Sequence, residues 1–524
     1  MQAEDDLTQK QSRIILISLV VVAFLIRIWG IGDRETWMDE GFTYLILKDG
    51  PRHGVPQLYF WIITPFVKMF GMNLFAMRLP STLFDIAYIL LMYGLVSDVF
   101  DRKTGIAAAT LATFSAYQVY YSQEARSYTL MIVSLLLLVY LMVKQIKTSG
   151  KWWGISAGVL AVMILQLHYV AVFFLCTSLF FWFVASLIRK DRPAITCSVF
   201  SLITVIASTF VIIFDPTTLR VYETGIEETR SVMYMFEPSS IYEGVKKTMY
   251  MIYVFLTGFI HPFFYSHGSI STSSGYALRT IPIVAAGILV GGACHRAKES
   301  DLVARWLILS AFLAIVSLFS SAYVLEYGFD FWRFQSRHLS YLVIPLQILI
   351  ACGFLHFLKS KKAIAWAAAF VLIVYSIGGI AVFHSRNLKT SGESWSVIMK
   401  DIANAHPDAQ IIVSQHVYFA ILYYRDHTAM PHRIINYPRD WEAIYKGERL
   451  EADSEEKTKL LLDRIKPEFE TVVIDFRHHL RHDEVLLGYL RELYSNESER
   501  SYNPGLGSSY AVPTTVYSFS RNLE

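Results

Sequence analysis

The chain has 524 residues, of which 54% are apolar, 15% aromatic and only 17% charged, and its mean hydropathy is +0.39. A soluble protein carries about a quarter charged residues, so these figures exclude an ordinary soluble or disordered chain. A net charge of +3 gives no case for nucleic-acid binding. The four cysteines, Cys176, Cys197, Cys294 and Cys352, stand in apolar runs, which fits neither a disulfide framework nor a cysteine zinc site. This is the composition of a polytopic α-helical membrane protein.

A helix needs about 20 apolar residues to cross roughly 30 Å of hydrocarbon. Runs of that kind stand near 14–31, 81–97, 105–121, 127–143, 153–168, 170–188 and 194–214, and again near 278–294, 305–325, 339–358 and 363–384. The first is interrupted by Arg27 and shows no small-x-small cleavage site, so it reads as a retained anchor. A further run at 249–265 is shorter, aromatic, and contains Gly258 and Pro262. Short basic loops hold Arg102 and Lys103, Lys144 to Lys151, Arg189 to Arg192, Arg296 and Lys298, and Lys359 to Lys362. Such loops belong on the cytoplasmic side. All of them fall there only if 249–265 does not cross, which gives eleven spans and makes 249–265 interfacial or re-entrant.

This topology leaves the long loops 33–79, 215–277 and 326–338 on the exoplasmic face of a membrane domain spanning 1–385. After it the pattern changes. Short β-like runs at 411–414, 471–476 and 514–520 alternate with amphipathic stretches at 453–465 and 482–494. They predict a small exoplasmic α/β domain over 386–524.

Chemistry concentrates on the exoplasmic loops. Asp39 and Glu40, just beyond the first span, offer a general base and a second carboxylate; the plainer reading is that they favour the first turn of a helix. Glu124 and Arg126 lie between two apolar helices, where ionisable groups face a cavity or a partner, or else tidy a tight turn. Arg333, Arg337 and His338 precede the tenth span. Arginine suits phosphate through its planar fork, although snorkelling cations in an aromatic belt are common at interfaces. His168 follows the fifth span and reads as an acceptor contact or as structural. No nucleotide loop or HExxH pattern is present in the sequence.

Trp37-Met38-Asp39-Glu40, Arg78-Leu79-Pro80-Ser81, Tyr121-Ser122-Gln123-Glu124-Ala125-Arg126 and the late Arg337-His338-Leu339 together resemble the protein O-mannosyltransferase-like branch of the GT-C glycosyltransferases. The resemblance implies about eleven transmembrane helices and transfer of a sugar from a polyprenyl-phosphate donor to an exoplasmic glycan, lipid or protein. It makes Asp39 the catalytic base and Glu40 a supporting carboxylate. Gln123, Glu124 and Arg126 become second-loop site residues, and Arg337 with His338 holds the donor phosphate; Tyr59, His168 and Arg333 complete the expected substrate-binding set. The implied setting is a bacterial or archaeal plasma membrane. A divalent metal could share the phosphate charge, with Asp39 and Glu124 as its candidate ligands. The first loop departs from the pattern of many relatives: it reads Val55-Pro56-Gln57-Leu58-Tyr59-Phe60, with His53 standing early. The competing class is a transporter or lipid-linked sugar flippase. Long loops on one face and a soluble domain argue against it.

Overall fold

The computed structural model describes residues 7–51, 55–214, 241–258, 273–323, 336–385, 395–414, 417–427, 432–437, 465–466, 468–476, 483–502 and 514–521. Among the described residues, nine helices are long and apolar enough to cross a membrane. The chain is an integral membrane protein. The first helix, α1 (Gln9–Ile28), starts at Thr8, whose hydroxyl accepts from the Gln11 N–H in a reciprocal capping box. Two short helices follow in the first loop, α2 (Met38–Asp49) and α3 (Leu58–Phe70).

The second span, α4 (Leu74–Val99), begins at Leu74 rather than near 81, because the Asn73 side chain caps the Ala76 N–H. Arg78-Leu79-Pro80-Ser81 is therefore helical. The third expected span is two helices, α5 (Arg102–Thr113) and α6 (Ala116–Ser122), with Ser115 capping the second. The break is held open from outside. Arg27 of α1 donates to the carbonyls of Ala112 and Thr113 at 3.0 Å each, satisfying the open end of α5.

The remaining helices are α7 (Tyr128–Thr148), α8 (Lys151–Leu165), α9 (Ala171–Ile188), α10 (Arg192–Phe214), α11 (Ile241–Thr257), α12 (Ser273–Glu299) and α13 (Leu302–Tyr323). A 3₁₀ turn over Ser336–Leu342 leads into α14 (Val343–Ser360), followed by α15 (Lys362–Ser385). Contacts between loops fix which ends lie together. Arg296 reaches Asp101 at 2.6 Å, Lys147 reaches Asp98 at 3.3 Å, and Arg102 donates to the Leu7 carbonyl. The loop after α12 therefore shares an end with the loop before α5. Residues 259–272 and 324–335 lie outside the described residues, as does the amphipathic stretch 453–464.

The charges inside the bundle are paired. Arg27 is fully buried against Asp85 of α4, whose second oxygen accepts from Gln118 at 3.1 Å. Gln118 in turn takes a hydrogen bond from Gln347, and Gln347 one from Tyr88. One polar network thus ties α1, α4, α6 and α14.

The C-terminal part holds a five-stranded sheet in the order β2-β1-β3-β5-β4, with β1 (Gln410–Ser414), β2 (Ile434–Tyr437), β3 (Thr471–Phe476), β4 (Asn496–Tyr502) and β5 (Thr514–Ser520). β1 runs parallel to β2 and β3, while β5 is antiparallel to β3 and β4. One sheet face, with Ile412, Val473 and Phe519, packs on Leu486 and Leu490 of α18 (Asp483–Leu493). The other, with Ile411, Val472 and Ile474, joins α16 (Trp395–Ala405), α17 (Tyr418–His427) and the core of the membrane bundle.

Candidate active site

Asp39 is the second residue of α2, where the free N–H groups of a first turn favour a carboxylate. Two guanidinium groups converge on it from distant parts of the chain. Arg337, from the 3₁₀ turn, donates from Nη1 to Asp39 Oδ2 at 3.1 Å and lies over the Trp37 ring. Arg126, from the turn between α6 and α7, places Nε 3.9 Å from the same oxygen. Among the described residues the Nε atoms of both arginines are buried without a hydrogen-bond acceptor. The site thus keeps donor capacity for an incoming anion.

Beside this triad lies a cavity of about 190 Å³, lined by Phe42, Tyr59, Phe60, Arg126, His168 and Tyr169 among others. Tyr59 is buried with its hydroxyl beside Ser81. Burial, then Arg126 and Arg337, push the His168 imidazole down to about 3, so it is neutral at physiological pH. Its Nδ1 accepts from the Val170 N–H at 3.3 Å, which leaves the ring proton on Nε2. The His168 ring packs 5.2 Å from Tyr128 and stands 6.4 Å from His338.

Other expected site residues lie behind the cavity rather than in it. Glu40 is fully buried, and Arg78 holds both of its oxygens at 2.8 and 2.7 Å. Glu40 also accepts from the Ala125 N–H at 2.8 Å. Held on both oxygens, this carboxylate locks Arg78 and the Ala125 turn behind Asp39. Gln123 donates from its amide to the carbonyls of Arg27 and Trp29, fixing the end of α1, and does not line the cavity. Glu124 is buried, its carbonyl accepting from the Ser81 hydroxyl at 2.7 Å. Its carboxylate acts on Arg126 and Arg337 through space. Arg333 and His53 lie outside the described residues.

Arg78 is the residue that sequence reasoning missed. Beyond Glu40, its guanidinium donates to the carbonyls of Ile31, Arg34 and Glu35, using its whole fork on the segment that leads into α2. The signal was present in Arg78-Leu79-Pro80-Ser81, but placed in a loop it had no partner to suggest.

The described residues offer no preformed site for a divalent ion. Among the described residues no three His, Cys, Asp or Glu side chains stand together as a metal site. The expected ligand Asp39 is already flanked by two guanidinium groups, which a dication would have to displace.

Residues 54–212 match the model of the family described as dolichyl-phosphate-mannose-protein mannosyltransferase. ArnT from Cupriavidus metallidurans, bound to undecaprenyl phosphate, superposes with a TM-score of 0.55 at 10% identity, over 98% of each chain. The Archaeoglobus fulgidus oligosaccharyltransferase in complex with zinc and sulfate gives 0.51 at 11% identity, over 88% of this chain and 68% of the other. The archaeal oligosaccharyltransferase AglB from the same organism, with an inhibitory peptide and a dolichol phosphate, gives 0.51 at 11%. The fold is that of the GT-C glycosyltransferases. No curated protein matches the chain in sequence. The family match includes Arg78, Glu124, Arg126 and His168 but begins after Asp39, so the place of Asp39 rests on geometry.

Proposed function

We propose that the chain is an inverting glycosyltransferase that moves a sugar from a polyprenyl-phosphate donor to an exoplasmic glycan, lipid or protein. The single observation that carries this is the meeting of Asp39 with Arg126 and Arg337 beside a cavity on a GT-C fold. A carboxylate and two guanidinium groups supply what the transfer needs. Asp39 takes the proton of the acceptor hydroxyl as its oxygen attacks the anomeric carbon. The bond from that carbon to the phosphate oxygen breaks, and its electron pair leaves with the polyprenyl phosphate. Attack opposite the leaving group inverts the anomeric centre.

The charge that develops on the leaving phosphate falls to Arg337 and Arg126, whose positions are set before the reaction. Arg337 can keep Nη1 on Asp39 while its other N–H groups meet phosphate, so base and leaving-group site share one side chain. Neutral His168 and Tyr59 would line the sugar. The basic loops are tied together at the end of the bundle opposite Asp39, and the positive-inside rule makes the site end exoplasmic.

The test is transfer by purified protein in lipid, offered a panel of polyprenyl-phosphate sugars with cell-envelope acceptors. Release of polyprenyl phosphate with a product of inverted configuration is expected. Turnover with no member of the panel, alongside movement of an intact lipid-linked sugar across the bilayer, would favour a flippase instead.

A further inference from the structure

We infer that the C-terminal domain clamps the Asp39 helix, with Tyr424 and Gly41 acting as positioning residues for the transfer proposed above. The inference rests on Asp39 being the base of that reaction.

Helix α17 lies along α2 and holds it at three places. Before the helix starts, the Tyr424 hydroxyl donates to the Glu35 carboxylate and accepts from the Thr36 N–H at 2.9 Å. Ser396 of α16 donates to the same carboxylate from its hydroxyl and its N–H. In the middle, Gly41 meets the α17 backbone directly. A β-carbon there would clash with the Phe419 carbonyl and stand 2.6 Å from the Ala420 nitrogen, so only glycine permits this approach. At the far end, Asp426 accepts from Tyr44 at 2.8 Å and from Lys48 at 2.7 Å.

The membrane domain grips the same segment from the other side, through Arg78 on the Glu35 carbonyl and on Glu40. Asp39 sits between these two sets of bonds and makes none to α17 among the described residues. Its distance to Arg337 is set by where α2 is held. A misplacement of about 1 Å at a reacting centre can lower turnover by about 100-fold, so a domain that never touches substrate can still govern rate.

The test uses the full chain in lipid with Tyr424→Phe, which removes one hydroxyl and keeps the ring, and with Gly41→Ala as a second variant. Hydrogen exchange over residues 35–44 should quicken in both, while the peptide covering 128–148 stays as in wild type. Turnover should fall by roughly tenfold for Tyr424→Phe, and should fall no further when Tyr424→Phe is added to Asp39→Asn, because both act through one group. Unchanged exchange over 35–44 would overturn the clamp. Multiplied losses in the double variant would overturn the positioning role. If Asp39→Asn alone keeps wild-type turnover, the base assignment fails and the positioning role with it, whereas the exchange result still decides the clamp.

Discussion

Arg337 Nη1 donates to Asp39 Oδ2 across 3.1 Å, joining residues 298 positions apart. From sequence, Arg337 looks the freer cation because no acid stands in the six residues before it. In the fold Arg337 is the nearer of the two arginines to Asp39. Donor and base are thereby coupled, because one guanidinium faces both the Asp39 carboxylate and, through its remaining N–H groups, an incoming phosphate.

Asp39→Asn keeps the shape of the side chain and removes its basicity. Turnover should fall by about 10²–10⁴-fold, with donor binding retained in an equilibrium measurement. Wild-type turnover would shift the base to another residue.

Arg337→Ala should raise the donor requirement more than the acceptor requirement. Loss of a charge-assisted hydrogen bond costs about 1.5–3 kcal/mol, and Arg337→Lys should recover only part of it because the planar fork is lost. Steady-state kinetics with donor and acceptor varied in turn decide the matter. An effect in Arg126→Ala alone would place the phosphate on the second loop.

Arg78 and Glu40 form a buried pair, and removing one partner leaves the other charge uncompensated, at about 3–5 kcal/mol. Arg78→Ala should therefore lower the melting temperature and the folded yield in detergent. An unchanged melting temperature would show that water reaches Glu40.

His168 carries a pH signature. With its imidazole held down to about 3 by burial and by the neighbouring arginines, the unfolded chain binds a proton near pH 6.5 that the folded chain does not. This contribution is fully present above about pH 6.5 and is lost as pH falls toward 3, by at most about 1.4 kcal/mol per unit. Melting temperature between pH 7 and 5 should fall less steeply in His168→Gln than in wild type. Equal slopes would mean that His168 takes up its proton while folded.

Orientation is open to labelling in a background without the four native cysteines. A cysteine at position 48, where the Lys48 side chain is 43% exposed, should react from outside, and one at position 361 should not. Reaction at 361 from outside would put the site on the cytoplasmic face.

Hydropathy made most of the helices legible, because a span needs only length and apolarity. It misplaced the start of α4, where Arg78 lowers the apolar average although the side chain is buried on Glu40. The same limit hid the break after Thr113, which depends on Arg27 arriving from another helix. Strands β1, β3 and β5 carry apolar runs and were readable. Strand β4, Asn-Glu-Ser-Glu-Arg-Ser-Tyr, is an exposed charged edge with no apolar period to find. Within the site, Asp39 and Arg337 stood out by residue type and position, whereas Glu40 and Gln123 differ from true cavity residues only in where their side chains end.

The Arg27–Asp85 pair also bears on how the protein is made. Each charge alone is costly within a bilayer, and Arg27 leaves the ribosome in α1 well before Asp85 follows in α4. Until the second span supplies the counter-charge, the cation of the first helix has no acidic partner in α4. An arrest of synthesis between residues 28 and 85 should leave a first segment that alkaline extraction removes more readily than it removes the finished chain.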